Sequence, residues 1–308
     1  MGWEDLPDPV RRQFETVVGV PVVSGRDLGG GFPPGMVALL QLADGETVFA
    51  KAVDGAWHRE ADLHRNESRI AAALPASVPT PRLRGAFDDG EWVGIVFDAV
   101  EGREPVRPWS EPELARVLAM LTELSEALTP ARTLVTSAVE QIGLRRPRLG
   151  GWSRVAADAD QFLQLAEVSP WAAEHLGRLC HLEGRGVSAA EGVSLVHFDL
   201  HPRNILMNDD RVLAVDWAFA RLGNPLVDLV TLLSSVAADG ADPDPHAVAH
   251  PLAADADPGV LDALIAAHAG FCITASLQPA APRRQPILDV KRALGLGALA
   301  WLEGRLGR

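Results

Sequence analysis

Val196-His197-Phe198-Asp199-Leu200-His201-Pro202-Arg203-Asn204-Ile205-Leu206, followed by Leu213-Ala214-Val215-Asp216-Trp217, decides the reading of this chain. Asp199 stands five residues before Asn204 on a tight loop, and Asp216 comes twelve residues later, at the end of a short apolar strand. Phosphoryl transfer needs such a set. One carboxylate receives the proton of an acceptor hydroxyl, while an amide oxygen and a second carboxylate hold magnesium against the phosphates of a nucleotide.

The upstream half carries the parts this chemistry also requires. Gly29, Gly30 and Gly31 open a glycine-rich turn between strand-like runs at Val20 to Val23 and Met36 to Leu42. Glycine lets backbone amides approach phosphate without a side chain in the way. Asp44-Gly45 marks a hairpin turn, and Thr47 to Val53 alternates like a strand around Lys51. The chain has only two lysines, Lys51 and Lys291. A compact ammonium at Lys51 suits the α- and β-phosphates and pairing with a helix carboxylate. On the helix expected from Trp57 to Leu74, Leu63, Ile70 and Leu74 share a face with Glu67. Glu67 is therefore the expected partner of Lys51, ahead of Glu60 two turns earlier.

With these residues placed, the chain resembles the aminoglycoside phosphotransferase family, relatives of the protein kinases that include choline and homoserine kinases. The family's catalytic loop, His-Gly-Asp-Leu-His-x-x-Asn, stands here as His197 to Asn204, and its Asp-Trp strand end as Asp216-Trp217. The later Gly-Asp-Pro-x-x-Asp-Leu pattern stands as Gly223 to Leu229. Phe198 replaces the usual glycine and Asn224 an aspartate; Phe198 would narrow the floor of the acceptor site, and neither change removes a reacting group.

The resemblance implies an α+β, bilobal protein-kinase-like fold. Residues 1–98 would form a nucleotide-binding lobe with a mostly antiparallel sheet, 99–108 a linker, and 109–308 a helical lobe for catalysis and acceptor binding. It implies that the backbone at Asp98 and Val100 meets the adenine edge, with Phe97 gating the pocket behind. It further implies Mg2+ on Asn204 and Asp216, with ATP or GTP as donor. His197 and His201 then support the loop. Asp228, which reads by itself as a cap on the following helix, would also fix the loop's backbone.

Each piece has an ordinary alternative: a glycine turn is usually only a loop, and a strand lysine usually an edge residue. His197, Asp199 and His201 also spell a His-x-Asp-x-His pattern, which would suit a metal-dependent hydrolase, though no outlying histidine or cysteine group completes a ligand set. A nucleotide-binding pseudokinase scaffold is the other rival. The ordered conjunction of glycine turn, lysine strand, glutamate helix, Asp-x4-Asn loop and Asp-Trp strand end favours a kinase of small molecules.

Composition adds limits. A chain of 308 residues is long enough for two cores. Cys180 and Cys272 are too few for a disulfide framework and suit a reducing, cytoplasmic compartment. Neither a signal peptide nor an apolar run of membrane-spanning length is expected. Helices are expected at Pro9 to Val18, Glu111 to Leu128 (capped by Ser110), two over 153–183, and at 226–237, 259–275 and 284–306. The net charge of −13 excludes nucleic acid as a partner. Between Leu222 and Pro282 stand seven aspartates and no lysine or arginine. That stretch is either a wall steering a cationic acceptor or a solvated acidic loop. The acceptor stays open: an antibiotic, an amino sugar, a choline-like amine or a natural-product intermediate.

Overall fold

A computed structural model describes residues 1–28, 35–131, 149–254, 256–279 and 282–307. Gly29, Gly30 and Gly31 lie outside the described residues. The chain divides into two compact units, one built from Met1–Arg103 with Leu206–Ala220, the other from residues 104–131, 149–205 and 221–307.

The first unit is organised by a five-stranded antiparallel sheet of β1 (Val22–Asp27), β2 (Met36–Leu42), β3 (Thr47–Asp54), β4 (Leu83–Asp88) and β5 (Trp92–Asp98), in the order β1-β2-β3-β5-β4. Alternation along β3 decides which side chains meet the core. Val48, Ala50 and Ala52 are buried with Trp3, Leu6, Val10 and Phe14, the latter two from helix α1 (Asp8–Val18). Lys51 therefore projects from the opposite face, in register with Val37 on β2 and Ile95 on β5. Helix α2 (His58–Ala73) covers that face and buries Ala61, Glu67 and Ile70. The Asp44-Gly45 turn closes as expected, with Gly45 at φ 92°.

Leu206–Ala220 joins this unit rather than the helical one, which a boundary at residue 98 does not anticipate. Backbone bonds explain it. Arg103 and Met207 exchange amide–carbonyl hydrogen bonds of 2.9 and 2.8 Å, and the Ala214 amide donates to the Pro79 carbonyl at 2.9 Å. The indole of Trp217 donates to Thr80 Oγ1 at 3.1 Å, and the turn Trp217–Phe219 packs on α2.

The second unit is mainly helical: α3 (Glu111–Ala127), α4 (Trp152–Ala156), α5 (Ala159–Val168), α6 (Pro170–Glu174), α7 (Leu176–Ala189), α8 (Leu226–Ala238), α9 (Asp244–Ala249), α10 (Pro258–Ser276) and α11 (Gln285–Leu306). Four helices stand where two, split near Ser169-Pro170, were expected over 153–183: Ser169 caps at the expected break, Asp158 caps an earlier one, and a further break falls at His175, whose side chain makes no capping bond. Ser110 occupies the cap position of α3, but its side chain makes no capping bond. Helix α10, with mean hydropathy 1.5, is long and apolar enough to cross a membrane, contrary to expectation. It packs between α7 and α11 instead, with 67% of its apolar window buried. Ser194–Val196 pairs antiparallel with Arg221–Gly223, and this ribbon presents the loop that follows Val196.

Candidate active site

In the first unit, both Glu67 carboxylate oxygens accept from Lys51 Nζ, at 2.8 and 2.9 Å. Glu67 rather than Glu60 is the partner because it lies on the buried face of α2, where an unpaired carboxylate would be costly. Asp216 Oδ1 stands 3.8 Å from the same ammonium, with its side chain 41% exposed. Asp216 has φ 65° and ψ 64°, a left-handed conformation that aspartate tolerates better than most residues.

Two carboxylates thus share one lysine. Burial works to lower the Lys51 ammonium, but the charges of Asp216 and Glu67 outweigh it and hold its pKa above the ordinary value. Burial pushes Glu67 up to about 7, with Asp216 adding to the rise and Lys51 opposing it. His64, one turn before Glu67, donates from Nδ1 to the Glu60 carbonyl at 3.0 Å; burial, then the Lys51 charge, push it down to about 4. Phe97 is buried, and Asp98 and Val100 are half-buried. The Asp98 amide already donates to the Arg82 carbonyl at 2.8 Å, and its carboxylate pairs with Arg84.

In the second unit, Asp228 fixes the loop. It is buried, and its two oxygens accept from the amides of His197 and Phe198, each at 2.7 Å. Burial raises its pKa; the His197 charge and the two amide bonds oppose that. Asp228 does not cap α8. The cap position is Pro225, and Asn224 before it accepts at Oδ1 from the Leu226 amide at 3.0 Å while its Nδ2 donates to the Ala189 carbonyl. The Asp228 clamp holds Phe198 at φ 69°, which strains a bulky residue and explains why the resembled pattern has glycine there. The ring of Phe198 is buried beneath the guanidinium of Arg221, 4.3 Å away.

Asn204 Nδ2 donates to the Asp199 carbonyl at 2.9 Å. That orientation turns Oδ1 away from the bond and leaves a neutral oxygen of the kind magnesium accepts. His201 Nε2 lies 3.8 Å from Asp199 Oδ2. Burial lowers its pKa against the pull of Asp199. His197 is fully buried, and no cluster of three histidine, cysteine, aspartate or glutamate ligands occurs among the described residues, so His197, Asp199 and His201 do not assemble a metal centre.

The acidic stretch dissolves into structural pairs. Asp239 binds Arg107, and Asp244 and Asp262 both bind Arg305. Trp301 Nε1 also donates to Asp244, at 3.0 Å. Asp242 accepts from the Asp244 amide, and Asp257 caps α10. Asp255 lies outside the described residues. Sequence reasoning missed these pairs because the arginines lie far away along the chain. It also passed over His268, buried on α10 with its Nε2 3.6 Å from Cys272 Sγ; the only signal was a polar residue inside an apolar helix.

The model of the phosphotransferase enzyme family matches residues 26–264. Three solved structures resemble the chain in fold. A thermostable mutant of an aminoglycoside phosphotransferase, in ternary complex with ADP and hygromycin B, is 16% identical (TM-score 0.58, covering 96% of this chain and 98% of that one). A second aminoglycoside phosphotransferase, in complex with GDP and kanamycin, is 15% identical (TM-score 0.58, covering 95% and 98%). A choline/ethanolamine kinase family protein from Mesorhizobium loti is 15% identical (TM-score 0.55, covering 96% and 98%). No curated protein matches in sequence. The fold is kinase-like, the protein is a phosphotransferase, and the chain belongs to the phosphotransferase enzyme family.

Proposed function

We propose that this protein moves the γ-phosphoryl group of ATP or GTP to a hydroxyl of a small acceptor. The observation that carries the reading is Lys51, gripped by a buried glutamate and flanked by an exposed aspartate. Lys51 contacts the α- and β-phosphates and Glu67 fixes its direction. Asp216 and Asn204 each offer an oxygen of the kind magnesium takes, and the ion would neutralise charge on the phosphates when bound. In this reading the backbone at Asp98 and Val100 meets the purine edge, the Asp98 amide itself being engaged by the Arg82 carbonyl.

Asp199 orients the acceptor hydroxyl. The acceptor oxygen forms a bond to the γ-phosphorus, the bond from that phosphorus to the β-phosphate oxygen breaks, and the nucleoside diphosphate leaves. The acceptor's proton passes to Asp199 late, as a loose transition state allows. Asp199→Ala should fold normally, bind nucleotide, and lose transfer by about 100- to 10,000-fold. The test is magnesium-dependent phosphate transfer to a panel of hydroxylated compounds, antibiotics and amino sugars first. Undiminished turnover in the variant would remove Asp199 from its role.

A further inference from the structure

Phe198 stands immediately before Asp199, and its backbone lies in the left-handed region, at φ 69°. A residue with a β-carbon keeps that conformation only where its surroundings hold it. Two contacts grip this residue, at opposite ends. Asp228 accepts from the amides of His197 and Phe198, each at 2.7 Å, and so fixes the peptide plane ahead of Phe198. Rotation about the Phe198 N–Cα bond, which φ measures, needs a grip on the side chain as well. The buried ring receives one: the guanidinium carbon of Arg221 lies 4.3 Å from its centroid. Holding amide and side chain together fixes φ, and with it the direction in which the chain leaves for Asp199. Arg221 is suited to this by its place in the fold. It pairs with Val196 at the end of the ribbon from which the loop departs, so its backbone is tied to the strand that leads into Phe198. Arg221 is also half-buried, and a partly desolvated cation over an aromatic face is attracted more strongly than an exposed one.

We propose that Arg221 is a positioning residue for phosphoryl transfer: stacked on Phe198, it keeps that residue in the left-handed conformation and so aims the Asp199 carboxylate at the acceptor hydroxyl. The inference rests on the role proposed above for Asp199. Its competitor is a direct effect of the Arg221 charge on Asp199, whose own charge opposes the lowering of the Arg221 pKa by burial. Glycine at position 198 separates the two. Glycine adopts positive φ at no steric cost and needs no grip on a side chain. It therefore uncouples Arg221 from the loop if Arg221 acts through the ring, and leaves a direct charge effect intact.

The test is a cycle of full-length proteins: wild type, Arg221→Ala, Phe198→Gly and the double variant, each shown folded by circular dichroism. Arg221→Gln, which removes the cation but keeps most of the stem, stands beside Arg221→Ala as the milder replacement. Crystal structures report φ at position 198 and the place of the Asp199 carboxylate. Arg221→Ala should release Phe198 from the left-handed region and displace that carboxylate by about 1 Å or more, and kcat should fall about 10- to 100-fold with the nucleotide KM within about twofold. Arg221→Gln should move both readouts in the same direction. In the Phe198→Gly background, replacing Arg221 should change kcat by less than about threefold. A carboxylate that stays in place in Arg221→Ala overturns the proposal. So does a loss of kcat as large with glycine at position 198 as with phenylalanine. A displaced carboxylate with undiminished transfer would leave the grip on the loop standing and count against the catalytic role of Asp199 instead.

Discussion

Phe198 offers the sharpest test of how the catalytic loop is held. Its backbone sits at φ 69°, where a side chain other than glycine costs about 1–2 kcal/mol. Its ring is 8% exposed and lies against Arg221, so deleting it should cost about 3–5 kcal/mol. Phe198→Ala loses the ring and keeps the backbone penalty. Phe198→Gly also loses the ring but recovers that penalty, less about 0.5–1 kcal/mol for the added freedom of the unfolded chain. Both variants should be less stable than wild type, and the glycine variant should exceed the alanine variant by about 0.5–1 kcal/mol. That order reverses the usual one, in which alanine is favoured. Equilibrium urea unfolding followed by helical circular dichroism, to which the second unit contributes most helices, reads the difference as about 0.2–0.3 M in midpoint. An alanine variant as stable as the glycine variant would refute the claim that Asp228 imposes a strained backbone here.

Two further predictions concern the carboxylates. Asp228→Asn should lose one of two amide contacts and turn an NH2 group toward a donor, costing about 1–3 kcal/mol. It should lower kcat at least tenfold with the nucleotide KM nearly unchanged; an unaltered kcat would show that the loop holds its shape unaided. For Glu67, the folded pKa of about 7 exceeds the ordinary value of 4.5, so the native state binds the extra proton. Its contribution to stability is fully present below pH 4.5 and falls away as pH rises through 7. Activity should move the other way, rising with a midpoint near pH 7 as the carboxylate ionises to grip Lys51. Glu67→Gln should flatten both curves, and a rate profile with the same midpoint in that variant would assign the titration elsewhere.

The reach of the sequence is uneven for physical reasons. Asp199, Asn204 and Asp216 are legible because phosphoryl transfer dictates both residue type and spacing along a single loop and hairpin. Glu67 is legible because helical periodicity separates it from Glu60. The turn at Asp44-Gly45 follows from the left-handed backbone that glycine permits. Other features depend on partners remote in sequence. Nothing near Asp239 announces Arg107, and nothing near Asp244 announces Arg305, so a run of aspartates looks like a charged wall until the fold brings the arginines in. Phe198 is an intermediate case. The mismatch with glycine is visible in the sequence, but its meaning as a backbone constraint needs the two bonds from Asp228. The placement of Leu206–Ala220 with the first unit rests on three backbone hydrogen bonds and one indole bond that no local pattern encodes.

Charge, counted within each unit, separates the site from the structural pairs. In the first unit, Glu67 and Asp216 face one ammonium, and burial drives Glu67 up to about 7, with Asp216 adding to the rise. Under the proposed function, a donor whose phosphates come with a divalent ion would bring positive charge to these carboxylates. In the second unit the described aspartates around α8 to α10 are consumed by arginines, an indole and backbone amides, so a run that reads as a charged wall serves the fold instead.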